Sequence, residues 1–101
     1  MKEQLTSLKQ EFRVIREINI YNIDTHQFEI LESDDCVNLI SNLDEMDCFN
    51  DMSQMNLDLD NQEYFLQKLD KRIAVLSLDK TKDYNKALLN IKVKNLAKSF
   101  T

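Results

Sequence analysis

Residues 59–76 read LDNQEYFLQKLDKRIAVL, and they carry the strongest local structural signal in the chain. With Asp60 as N-cap, Glu63 stands at the N3 position, from which its carboxylate can reach back to the cap. Leu59 and Tyr64 occupy the two positions of a hydrophobic staple. The stretch therefore predicts a helix that begins at Asp60. Helical spacing of three and four residues then continues in Leu66, Leu69, Ile73 and Leu76.

Two upstream segments also have helical patterns. In residues 1–17 the apolar side chains recur at steps of three and four, which is typical of a core-facing helix. In residues 33–55, Ser33 is a suitable N-cap, and the two acidic residues that follow suit the first turn of a helix. Both segments are predicted to be helical. After Asp47 the apolar spacing of the second shifts to steps of three, so this helix either ends near Asn50 or rotates its exposed face. The stripe of the second is formed by Cys36, Leu39, Ile40, Leu43 and Met46.

Residues 18–31 differ from their neighbours because they are rich in β-branched and aromatic side chains. A polar gap at 24–27 separates two short runs, 17–23 and 28–31, which could pair as a hairpin. The competing interpretation is that the first helix continues to Ile23.

Residues 77–101 are predicted to form a last helix or to continue the third one. A helical wheel gives this segment two apolar stripes about 150° apart. A helix with two stripes is either central in its bundle or shared with a partner. One stripe contains Tyr84, Ala87, Leu88, Ile91 and Asn95, and the other contains Leu89, Val93, Leu96 and Phe100.

These segments together predict a mainly α fold. We expect a small antiparallel bundle of three to four helices, with a short β-hairpin near residues 18–31 as a possible addition. The chain has 101 residues and a mass of 12.0 kDa, so residues 1–101 are expected to form a single domain.

The chain contains no Gly, Pro or Trp. The absence of Gly and Pro is expected if the sequence was selected to form helices, because both residues interrupt them. It is equally well explained by the codon bias of an AT-rich genome. The absence of Gly excludes the glycine-dependent phosphate loops and the nucleophile elbow of α/β-hydrolases. Pairs of acidic side chains are abundant, but such pairs occur in any acidic chain. We therefore expect no enzymatic activity.

The Cys and His content is low. Secreted domains held by disulfides usually have more than two cysteines and a signal peptide. This sequence has only Cys36 and Cys48 and shows no signal-peptide pattern, so we expect reduced thiols and a cytoplasmic protein. His26 is the only histidine and is expected to be a loop residue. No cofactor, metal or membrane association is expected, since no segment has the length or composition that these require.

Charge is distributed unevenly along the chain, whose net charge is −5. Residues 1–30 carry a net charge of −1, residues 31–70 carry −10, and residues 71–101 carry +6. Such asymmetry is compatible with a polyanion partner, or with acidic and basic segments that meet within one chain or between two chains.

The function predicted from these features is that of a non-enzymatic protein–protein interaction module that forms a homodimer. Two alternatives stay open. One is a small acidic inhibitor that occupies the basic groove of a partner through Asp44, Glu45, Asp47 and Asp51. The other is a nucleic-acid-associated regulator that uses the C-terminal lysines, although the low pI argues against nucleic acid as a partner. The predicted partner surface consists of Leu89, Val93, Leu96 and Phe100, with Met52 and Met55 as a second region.

Overall fold

The computed structural model describes residues 2–59 and 62–99. Residues 63–78, where the sequence predicts a helix, form a β-hairpin whose strands pair with Leu69 opposite Arg72. Only Asp70 and Lys71 are left for the turn. Asp70 has a φ of 62°, the left-handed conformation that glycine usually provides in such turns. The prediction of a helix from Asp60 is therefore wrong, although Asp60 itself lies outside the described residues.

The prediction of a mainly α-helical bundle is wrong, because the described residues form an α/β fold of five strands and three helices. The elements are α1 (Lys2–Glu11), β1 (Ile15–Asn22), β2 (Gln27–Ile30), α2 (Val37–Glu45), β3 (Gln54–Asp58), β4 (Glu63–Leu69), β5 (Arg72–Leu78) and α3 (Lys86–Ser99). The hairpin of β4 and β5 belongs to an antiparallel sheet with the strand order β2-β1-β5-β4-β3.

Helices cover both faces of this sheet. On one face, Leu5 and Leu8 of α1 and Leu89 and Val93 of α3 join the first core cluster. On the other face, Ile40 of α2 joins the second cluster. The central strands are consequently apolar on both sides, and Ile73–Leu76 of β5 is buried throughout.

The remaining helix predictions are only partly right. The first helix ends at Glu11, and β1 begins four residues later. The second helix covers Val37–Glu45 of the predicted 33–55, and β3 follows it. The last helix begins at Lys86, where the side chain of Asn85 accepts a hydrogen bond from the Leu88 N–H at 3.0 Å. The expected hairpin near residues 18–31 is present as β1 and β2.

Candidate protein-interaction surface

Among the described residues, no strand pairs with the outer edge of β3. On its inner edge, Ser53 accepts from the Lys68 N–H at 2.9 Å, and the Leu59 N–H donates to the Gln62 carbonyl at 2.9 Å. In an antiparallel pair the bonded positions alternate, so Met55 and Leu57 also bond to β4. The backbone N–H and C=O groups of Asn56 therefore point away from the sheet, where another strand could pair with them.

Apolar side chains adjoin this free edge. Met55 and Leu57 lie opposite Leu66 and Tyr64 of β4, and like them face the α2 side of the sheet. They are only half-buried, and Met52, just before the strand, is half-buried too. The edge therefore offers both backbone hydrogen-bonding groups and apolar side chains. We call this combination, formed by β3 with the side chains of Met52, Met55 and Leu57, the β3 surface.

The other side of β3 is fixed by a network of amides. The Gln54 side chain donates to Gln67 at 2.7 Å and to Asn90 of α3 at 2.6 Å. Gln67 is buried, and its own amide donates to the Ser53 carbonyl at 3.1 Å. Because buried amides that are fully paired hold their neighbours in one arrangement, this network holds the edge strand in place.

The opposite edge of the sheet, β2, has a different character. Glu29 of this strand pairs with Arg72 and accepts from Asn22 at 3.3 Å. In the turn before it, Asp24 lies 3.5 Å from Lys71. Charged groups at a strand edge discourage pairing with another strand. On β3 the charged pair, Asp58 with Lys80 at 2.6 Å, lies at the end of the strand and not in its middle, so β3 is the better candidate for association.

The four acidic residues predicted as an inhibitory surface have different environments. Asp44 is only 13% exposed and accepts hydrogen bonds from Tyr21 and from His26, whose Nδ1 lies 2.6 Å from its carboxylate. Burial opposes ionisation of Asp44, but these two hydrogen bonds outweigh it and hold its pKa below the ordinary value. The pKa of Tyr21 is raised, mainly because the side chain is buried and also because its hydroxyl donates a hydrogen bond to Asp44. Asp44 is thus a structural acceptor between α2 and the β1–β2 hairpin.

Asp47 also has a structural role, because it ends α2. Its φ is 61°, its N–H donates to the Asp44 carbonyl, and the Cys48 N–H donates to the Leu43 carbonyl, both at 3.0 Å. This is a Schellman motif with aspartate in the position that glycine usually takes. Glu45 and Asp51 are exposed.

The structure separates the predicted partner residues. Leu89 and Val93 lie in the core beneath α3, and Leu96 is partly buried beside them. Leu89 and Val93 therefore belong to the hydrophobic interior of this fold. The other apolar stripe of the last helix, which contains Leu88 and Ile91, faces outward, and these two side chains are 39% and 55% exposed. Phe100 lies outside the described residues. Met52 and Met55 are both part of the β3 surface.

Sequence reasoning missed the free edge itself. The signal was present in Gln54–Asp58, where polar and apolar residues alternate as QMNLD, the pattern of a strand with one buried face. A helical interpretation that ran on to Met55 concealed it.

The single histidine and the two cysteines do not form a metal site in the described part of the chain, where no three His, Cys, Asp or Glu side chains are grouped suitably. Cys36 is buried and accepts from the Asn19 amide at 3.0 Å, and burial raises the pKa of its thiol. Among the described helices, none is long and apolar enough to cross a membrane.

Comparison with known proteins gives a likeness in structure. No protein-family profile and no curated protein sequence matches this chain. The structure is similar to the crystal structure of a Roadblock/LC7 domain from Streptomyces avermitilis, with a TM-score of 0.70 and 14% sequence identity. The similarity covers 98% of this chain and 92% of that chain. At this identity the likeness concerns the fold alone.

Proposed function

We propose that this chain, whose fold is that of a Roadblock/LC7 domain, is a non-enzymatic protein-interaction module that forms a homodimer through the β3 surface. The observation that carries the proposal is the free edge of β3, with outward backbone groups at Asn56 and half-buried apolar side chains at Met55 and Leu57. Backbone pairing gives such an interface its hydrogen bonds and its register, and burial of the apolar side chains adds to its free energy.

A second copy is a suitable occupant because an antiparallel strand pair has a two-fold axis. Asn56 is the middle residue of β3, so pairing about it would place the same groups of each copy opposite one another. The two sheets would then continue into one. Met55 and Leu57 of both copies would meet on the α2 side, where their exposed parts would be buried.

The test is the mass of the protein by light scattering after size exclusion at high salt. We expect twice the chain mass of 12.0 kDa, since an interface of backbone hydrogen bonds and apolar contacts resists salt. Asn56→Pro removes an outward N–H that plays no part in pairing with β4, and it should lower the mass to that of one chain.

Asn56→Ser is the matched control, because it changes the same side chain and keeps the N–H. It should run as wild type does. Circular dichroism must show that the proline variant keeps its fold. Equal masses for wild type and a folded Asn56→Pro protein would refute the β3 interface.

A further inference from the structure

The amide network between β3 and α3 meets the strand where its backbone is not bonded to β4. Gln54, the first residue of β3, lies opposite Gln67 of β4. The preceding residue, Ser53, accepts from the Lys68 N–H, and bonded positions alternate along an antiparallel pair. The backbone N–H and C=O groups of Gln54 therefore point away from β4. At this position the two strands are joined by side chains.

Both N–H groups of each glutamine amide in this network are used. The amide of Gln54 donates to Gln67 at 2.7 Å and to Asn90 at 2.6 Å. The amide of Gln67 donates to the carbonyls of Ser53 and Lys68, both at 3.1 Å. Because each amide is oriented by the others, the Gln54 side chain has one preferred position, and Asn90 supplies the contact from outside the sheet.

The helix that carries Asn90 is held in place independently of it. The preceding residue, Leu89, is only 1% exposed, and Val93, one turn further on, is fully buried in the first core cluster. Asn90 itself is half-buried. Loss of its side chain would therefore leave α3 on the sheet and would remove a fixed acceptor from the start of β3.

Gln54 has a further part in the dimer proposed above. When Asn56 of each copy lies opposite Asn56 of the other, Gln54 of each copy lies opposite Asp58 of the other copy. The outward backbone groups of these two residues then form the hydrogen bonds at the ends of the strand pair. Asp58 is held by Lys80 at 2.6 Å, and Gln54 is held by the amide network. Both ends of β3 are thus fixed by side chains from other parts of the fold.

We infer that Asn90 is a positioning residue for self-association: through Gln54 it fixes the end of β3 that pairs with the other copy. The inference rests on the proposed β3 interface and adds that the strength of this interface is controlled from α3. Without Asn90, the start of β3 frays in the free chain and has to be ordered again whenever two copies pair. Pre-ordered strands lose less conformational entropy on binding.

Sedimentation equilibrium over a series of protein concentrations measures the dissociation constant of the dimer. We expect Asn90→Ala to raise this constant at least about tenfold, because backbone at the start of β3 must be ordered in both copies. Asn90→Asp keeps the oxygen that accepts from Gln54 and should restore tight association. Asn95→Ala, the same change at an exposed position of α3, is the matched control and should associate as wild type does.

Hydrogen exchange in the monomeric Asn56→Pro background separates positioning from general stability. There, adding Asn90→Ala should speed exchange of the Lys68 N–H, whose acceptor is Ser53 at the start of β3. Exchange in the central strand β5 should not change. Faster exchange throughout β5 would overturn the inference, since Asn90 would then stabilise the whole fold and not the strand end.

The dissociation constants distinguish this inference from the proposed function. A wild-type dimer whose dissociation constant is unchanged by Asn90→Ala would overturn the inference and leave the β3 interface standing. So would an Asn90→Asp protein that associates as weakly as Asn90→Ala. A wild type that stays a monomer at every concentration would refute the β3 interface and, with it, the role of Asn90.

Discussion

Asn19 should be among the residues most costly to truncate, although it is polar. It lies in the middle of β1 and is fully buried. Its amide oxygen accepts from the backbone N–H groups of Glu32 and Ser33 at 2.6 and 3.2 Å. Its amide nitrogen donates to the Ser33 carbonyl at 3.0 Å and to the Cys36 sulfur. One side chain thus holds the segment between β2 and α2 against the sheet.

The magnitude follows from these partners. Asn19→Ala leaves two N–H groups and one carbonyl without their partner, and each such loss costs about 1–3 kcal/mol when the group is buried. The segment is partly exposed and water can reach some of these groups, so the lower end applies. We therefore expect the free energy of unfolding to fall by about 3 kcal/mol, a large share of the roughly 5–15 kcal/mol typical of a domain.

Urea unfolding followed by circular dichroism measures this change. With a slope of about 1–3 kcal/mol per molar urea, the midpoint should fall by roughly 1–3 M, and the slope should stay constant. Asn38→Ala, at an exposed asparagine of α2, is the matched control and should change stability by less than about 0.5 kcal/mol. A loss below about 1 kcal/mol for Asn19→Ala would refute the assigned role.

Two further predictions concern protons and thiols. Because the folded state lowers the pKa of Asp44, the folded protein binds its proton less tightly than the unfolded chain does. The stability that Asp44 contributes is therefore fully present above the ordinary pKa of an aspartate, about 4, and is lost as the pH falls below that value. Asp44→Asn should be less stable than wild type at neutral pH. Its stability should also fall less steeply than that of wild type as the pH is lowered. A fall as steep as that of wild type would contradict this. For the cysteines, a thiol reagent applied to the native protein should label Cys48 well before Cys36, because Cys36 is fully buried with a raised pKa and Cys48 is only half-buried. Mass spectrometry of the peptides checks the order, and equal rates would show that the Cys36 region opens readily.

The main error of sequence reasoning arose in residues 59–76. Leu66, Leu69, Ile73 and Leu76 do have helical spacing, but the runs Tyr64–Leu66 and Ile73–Leu76 are continuous. Strands buried on both faces produce such runs, and a spacing argument cannot distinguish them from a helix. The turn between the strands also lacked the usual signal, because Asp70 takes the place of glycine.

The predictions that came from local composition fared better. The β-branched and aromatic run at residues 18–31 indicated a hairpin, and β1 and β2 form one. The two stripes of the last helix were recognised as well. Which stripe faces the core could not be decided, because this depends on the sheet beneath Leu89 and Val93, and no sheet was expected there. Met52 and Met55, singled out as a second partner region, pack against the second core cluster and are only half-buried, and their part in an interface stays a prediction.

The strand order has a consequence for how the chain is made. β1 and β5 are neighbours at the centre of the sheet, with Ile18 opposite Leu76, although most of the chain separates them. During synthesis, β1 therefore leaves the ribosome long before its central partner exists. Until β5 emerges, β1 can pack against α1 and pair with β2, but its other edge has no partner. The sheet can close only after Arg72–Leu78 has emerged, which makes closure the slow, nonlocal step of folding. Until then the edge of β1 that will pair with β5 is exposed and prone to aggregation, so protection by chaperones matters most in that interval.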